Sequence, residues 1–134
     1  MLDDIGLIST IKWHCKSYLE NQNIIIKINT NIDTDTVILN HAICLTLFRI
    51  YQESFTNILR HANAKKVEID INEEDNTILM TIIDDGIGFE IDKVDTKLHH
   101  GLLGIRERVQ ALNGTILIES AIGKGTCTRV RIPI

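Results

Sequence analysis

The chain has 134 residues and a mass of 15.2 kDa, enough to bury one core and too little for two domains. Its 44% hydrophobic and 24% charged residues are ordinary globular usage and exclude disorder as the main description. A formal charge of −4 and a pI near 5.7 exclude the broad basic surface of a nucleic-acid binder, though a local phosphate pocket needs only a few donors.

Leu7, Ile8, Ile11, Cys15, Tyr18 and Leu19 recur at helical spacing, which predicts an amphipathic helix over roughly 5–20 with Trp13 packed where it meets a sheet. Ile24, Ile26 and Ile28 alternate with Ile25 and Lys27 and predict a strand. Residues 40–62 contain no Gly or Pro and predict a long helix whose apolar face carries Ile43, Leu47, Ile50, Ser54 and Ile58. Val67, Ile69 and Ile71, a polar turn at Glu73 to Asn76, and the run Ile78 to Ile83 predict a hairpin. Its second strand is apolar on both faces and therefore central. Residues 85–101 read as a long, functional loop. Gly104 to Leu112 reads as a helix closed by Asn113-Gly114, and a last hairpin turns at Gly123-Lys124-Gly125. The sum is an α+β domain, a two-layer sandwich of about five strands in a mixed sheet covered on one face by about three helices.

No apolar run approaches the roughly 18 residues of a membrane span, and the start has no charged-then-apolar secretory pattern. Cys15, Cys44 and Cys127 match no metal-ligand or disulfide spacing and read as reduced thiols packed as small hydrophobes, as in the cytosol.

Four segments carry possible chemistry. On the long helix, Glu53, Asn57, Arg60 and His61 stand at i, i+4, i+7 and i+8 and share one side. A carboxylate and an amide oxygen beside substrate phosphates suit magnesium, although a solvated helix face would look the same. Asp84-Asp85-Gly86-Ile87-Gly88 follows the most hydrophobic strand directly. A buried acid there must be hydrogen-bonded, and it would suit the exocyclic amino group of adenine while opposing the acceptor of guanine. A plain Asp-Gly turn is the bland alternative. His99-His100-Gly101-Leu102-Leu103-Gly104 opens the last helix, where free N–H groups could face an anion. Gly123-Lys124-Gly125-Thr126 needs to be no more than a hairpin turn.

In this order, the segments resemble the four nucleotide-binding boxes of sensor histidine kinases. The run Phe48 to Ala62, with Gln52-Glu53, Asn57 and Arg60-His61-Ala62, is similar to their N box. Asp84 to Phe89 is similar to the G1 box, Gly101 to Val109 to the G2 box and its helix, and Gly123 to Thr126 to the G3 box. The form of the N and G2 boxes is most similar to the NarX/DesK-type two-component kinases. The resemblance implies the Bergerat ATP-binding fold, which DNA gyrase, MutL and heat-shock chaperones share, with Mg-ATP held between helices and a movable lid. It implies that Asp84 accepts from adenine N6, with Gly86, Gly88 and Thr126 lining the base. It implies Asn57 as a magnesium ligand, with Glu53 nearby as a water-mediated ligand or general base. It places Arg60 and His61 near phosphates or ribose, and Gly101, Leu102 and Gly104 around the phosphates. His99 stands where the G2 box commonly has its first glycine.

The same resemblance implies transfer of the γ-phosphoryl group to a histidine on an adjoining dimerisation domain, and onward signalling to a response regulator. No Glu-Leu-His-Asp-like acceptor segment occurs in the chain. Residues 1–6 resemble the linker that follows the dimerisation helices, and residues 7–134 the catalytic domain. The expectation is a cytoplasmic domain cut from a longer sensor, either soluble or membrane-anchored. An anti-sigma-type serine kinase and a nucleotide-sensing module without phosphotransfer are the alternatives.

Overall fold

In chain order the computed structural model places a helix α1 (Leu2–Tyr18), a strand β1 (Ile25–Thr30), a long helix α2 (His41–Asn57), and strands β2 (Lys66–Glu74) and β3 (Thr77–Asp84). A helix α3 (Thr96–Ala111) and strands β4 (Thr115–Ser120) and β5 (Thr126–Pro133) follow. It describes residues 2–18, 24–32, 40–58, 64–88 and 96–134, with the side chains of 2–5, 18 and 96–100 left aside.

The strands form one mixed sheet in the order β1-β2-β3-β5-β4. β1 runs parallel to β2, and the other pairs are antiparallel. β3 is the central strand, as its apolar run predicts. The β2–β3 turn has only two central residues, Asp75 and Asn76, both at positive φ (51° and 59°), which matches the right-handed twist of the flanking strands. Val67, Ile69, Ile71, Ile78, Met80 and Ile82 alternate onto the inner face and are buried. On the outer face Ile83 is exposed, so the helices cover one side only.

Each helix contributes one apolar stripe to this layer. From α1 come Leu7, Ile8, Ile11 and Cys15; from α2, Ile43, Leu47, Ile50 and Tyr51; from α3, Ile105 and Val109. Trp13 corrects the sequence expectation. It is 51% exposed, because two residues past Ile11 a side chain has turned about 200° away from the buried face. α1 is interrupted at Gly6 (φ 81°, ψ 173°), which separates its first residues from the part that packs. α3 closes where expected, by Gly114 N–H donating to Val109 (2.9 Å) and Asn113 N–H to Gln110 (3.0 Å), with Asn113 at φ 59°.

A second correction concerns the start of α3. The segment read as loop up to residue 101 is helical from Thr96. Gly101, Leu102 and Gly104 therefore lie inside the helix, where an amide is committed to the carbonyl four residues earlier and is not free for an anion. Glycine weakens a helix by about 1 kcal/mol. At residue 101 an added Cβ would press on the Glu53 carboxylate of α2, so the glycine leaves room for that side chain.

Candidate functional site

α2 and α3 lie over the β3, β5 and β4 end of the sheet, and a cleft opens between them. From α2, Ile50, Glu53, Ser54 and Asn57 line it; from α3, Leu102 and Ile105; from the sheet and its loops, Ile82, Asp84, Gly88, Ile116, Ile118, Thr126 and Thr128. Its floor is apolar and its polar groups are few and convergent, the usual composition of a small-molecule site.

Asp84 is the polar group at the floor. It ends β3, pairs in register with Thr126 and is 7% exposed. Its carboxylate accepts from the Gly86 N–H at 2.9 Å. Burial raises its pKa, and the Gly86 and Thr126 backbone N–H groups oppose that rise in part. A buried carboxylate that lines a cleft is poised to accept from a ligand's donor.

Two glycines set the floor's shape. Gly88 (φ 70°) and Gly125 (φ 71°) occupy the left-handed region that side chains avoid. A Cβ at Gly88 would overlap the Ala121 carbonyl, and one at Gly125 would overlap the Asp84 carbonyl. The loop after β3 and the β4–β5 turn are thus packed backbone to backbone, joined by Gly123 N–H donating to Ile87 (2.6 Å). Thr126 Oγ1 is 2.8 Å from Ser120 Oγ, which donates to the Gly125 carbonyl, so the turn's polar side chains are fixed as well.

The neighbouring acid does different work. The Asp85 carboxylate accepts from the Lys66 and Lys65 N–H groups at 2.9 and 2.8 Å. Those bonds hold its pKa below the ordinary carboxylate range and tie the β3 exit to the start of β2. Nothing in the Asp-Asp-Gly string distinguishes the two acids. The β2–β3 register does, since it ends at Asp84 opposite Val67.

Opposite the floor, Glu53 and Asn57 stand one turn apart on α2. Neither side chain has a hydrogen-bond or ion-pair partner among the described residues. Among those residues no three His, Cys, Asp or Glu side chains cluster as a metal cage. One carboxylate and one amide oxygen nevertheless fit magnesium, which keeps waters and takes other ligands from substrate phosphates. Arg60 and His61 lie outside the described residues. Gly101 and Gly104 line an outer recess beyond Glu53, with Gly101 against the Glu53 carboxylate. Sequence reasoning missed Thr128, the other buried polar group of the cleft, although it alternates with Thr126 on the same face of β5.

The cleft as it stands holds about 40 Å³, room for little more than a water molecule or two. Small-molecule sites run to about 300–1,000 Å³. Leu102 and Ile105 of α3 are among the apolar side chains that bound the cleft.

Residues 44–134 match the family described as histidine kinase-, DNA gyrase B-, and HSP90-like ATPase. The chain belongs to this ATPase family. It is 30% identical over 133 residues to the oxygen sensor histidine kinase NreB of Staphylococcus carnosus, covering 99% of this chain and 38% of that protein. It is 32% identical over 137 aligned positions to the histidine-protein kinase/phosphatase DegS of Bacillus subtilis, covering 99% and 35%. The chain thus spans little more than a third of these relatives. Its α+β Bergerat fold is that of histidine kinase catalytic domains. The histidine kinase domain of the Erythrobacter litoralis EL346 blue-light activated kinase superposes with a TM-score of 0.73 at 21% identity, over 98% of this chain and 67% of that one. The nucleotide-free catalytic domain of histidine kinase ThkA gives 0.69 at 16% identity, over 95% and 90%.

Proposed function

We propose that this ATPase-family domain is the catalytic part of a bacterial sensor histidine kinase. It holds Mg-ATP in the cleft and presents the γ-phosphoryl group to a histidine on an adjoining dimerisation domain. The observation that carries this reading is the pairing of a buried, backbone-held Asp84 with two oxygen-bearing side chains, Glu53 and Asn57, that have no partner among the described residues, across one cleft.

Asp84 accepts from the exocyclic amino group of adenine, and Gly86, Gly88 and Thr126 shape the slot around the base. Asn57 holds the metal, with Glu53 beside it as a water-mediated ligand or as the base that relieves the attacking imidazole of its proton. Bound magnesium supplies charge neutralisation for the polyphosphate. Arg60 and His61 turn to phosphates or ribose, and Gly101, Leu102 and Gly104 border the phosphates once α3 has moved off the cleft. Catalysis on this reading is positioning and charge compensation, which dominate phosphoryl transfer.

Gly6 marks the passage from a connecting segment (residues 1–6) to the domain that begins at Leu7. The phosphorylated histidine then serves a response regulator. Among the described residues no helix is long and apolar enough to cross a membrane, and the domain works in the cytoplasm, where its nucleotide is.

The test supplies γ-labelled Mg-ATP and the dimerisation domain of a relative such as DegS, added in trans. Acid-labile label on that domain's histidine, lost with Asn57→Ala, is the expected result. Nucleotide binding with no transfer would favour a sensing module, and label on a partner's serine would favour the serine-kinase alternative.

A further inference from the structure

The outer recess is built symmetrically. α2 lends Arg49, Gln52, Glu53 and Thr56, and α3 lends Gly101, Gly104, Ile105 and Arg108, each set at i, i+3, i+4 and i+7. The recess encloses about 240 Å³, several times the volume of the inner cleft. It shares Glu53 and Ile105 with that cleft but does not reach Asp84.

Its charges are unusual. Arg49 and Arg108 come from facing helices, both are exposed, and neither has an ion-pair or hydrogen-bond partner among the described residues. Glu53 borders the same recess and pairs with neither. Two guanidinium groups that line one small polar space repel each other unless an anion lies between them. The planar guanidinium fork suits a tetrahedral oxyanion better than any other cationic side chain.

The position identifies the anion. Asn57, Glu53 and Arg49 follow one another along α2 at intervals of four residues, about 6 Å per step. The first two belong to the cleft that ends at Asp84, and Arg49 is the next step outward. A nucleotide anchored by its base at Asp84, with its metal at Asn57 and Glu53, sends its last phosphate toward Arg49. We infer that Arg49 and Arg108 form a clamp for the terminal phosphoryl group of the bound nucleotide, at the mouth where an acceptor meets it. This rests on the nucleotide reading of the cleft and adds to it two residues that lie 59 positions apart in the chain.

Calorimetric titration of magnesium complexes of ADP and of the β,γ-imido analogue of ATP into the unaltered chain, Arg49→Gln and Arg108→Gln tests the clamp. The unaltered chain should bind the analogue more tightly than ADP. Each variant should lose about fivefold or more on the analogue, the effect of a charge-assisted hydrogen bond at an exposed site, and less than about twofold on ADP. The double variant should bind both ligands alike. Retained ADP binding shows that the variants fold. Analogue affinity independent of both arginines overturns the clamp and leaves the recess to a carboxylate of a partner. A parallel loss of ADP and analogue overturns it too, as the mark of a merely structural role. If the unaltered chain binds neither ligand, the cleft reading fails and takes the clamp with it; arginine-independent binding sinks the clamp alone.

Discussion

Gly101 of α3 lies directly on the carboxylate of Glu53 in α2: a Cβ at residue 101 would stand 2.9 Å from Glu53 Cδ and overlap a carboxylate oxygen. This contact stands where the inner cleft meets the outer recess, both of which Glu53 lines. It explains a glycine in the middle of a helix by close approach, since no positive φ is recorded there.

A double-mutant cycle measures that contact. Ala is favoured over Gly inside a helix by about 1 kcal/mol, so Gly101→Ala should stabilise the domain by that amount when Glu53 is also Ala. With Glu53 present, displacement of its carboxylate should cancel the gain. Urea denaturation of the four proteins should give a coupling energy of about 1 kcal/mol. Additive effects would mean the helices do not meet there.

The small inner cleft makes a kinetic prediction. If α3 must shift before a purine fits, binding is slowed by the fraction of molecules already open. Leu102→Ala removes side-chain bulk from the cleft and should raise the association rate of a fluorescent adenine nucleotide several-fold in stopped-flow mixing. An unchanged rate would indicate that Leu102 does not obstruct it.

Asp85 should act on stability. Asp85→Ala removes the acceptor of two backbone N–H groups at an exposed site and should cost about 1 kcal/mol at pH 7. The carboxyl's pKa is lowered on folding. Its contribution is therefore present above the unfolded value of about 4 and lost as pH falls below it. The two proteins should differ in denaturation midpoint at pH 7, and the difference should shrink as pH falls below about 4.

On the face of α2 turned from the cleft, Tyr51 is 2% exposed and its hydroxyl meets His14 Nδ1 at 2.8 Å and Cys15 Sγ at 3.1 Å. These bonds join α1 to α2. Tyr51→Phe should cost about 1–2 kcal/mol, because it strips partners from a buried polar cluster. Burial lowers the pKa of His14. The stability linked to it is complete above the unfolded value of about 6.5 and declines as pH falls through the window below. The acid-side decline in melting temperature should be shallower in His14→Gln, and equal slopes would contradict the assignment.

How much of this was legible in the chain depends on whether a signal is local. Alternation at 67–71 and 78–83, the Asp75-Asn76 turn and the Asn113-Gly114 cap are set by neighbours in sequence, and the sheet and helix ends follow from them. Glu53 and Asn57 were legible through helical spacing, and Asp84 through its place after a buried strand. The start of α3 was not, because the polar stretch up to Gly101 reads as loop until the Glu53 contact of Gly101 is known. Trp13 was misjudged because any large apolar residue invites burial, whereas the helix phase set by Ile11 turns it outward. Asp85 draws its meaning from backbone N–H groups of another element, and Arg49 and Arg108 from lining one recess from two helices, which spacing along one element does not register.

The central claim is that Asp84 recognises the amino group of adenine. Calorimetry with Mg-ADP and Mg-IDP, whose base carries a carbonyl in place of the amine, tests it most directly, on the unaltered chain and on Asp84→Asn. Loss of a charge-assisted hydrogen bond in a buried site corresponds to about tenfold or more. The unaltered chain should therefore prefer ADP by at least that factor, and Asp84→Asn should lose the preference. Equal affinity of the unaltered chain for the two nucleotides would contradict the claim.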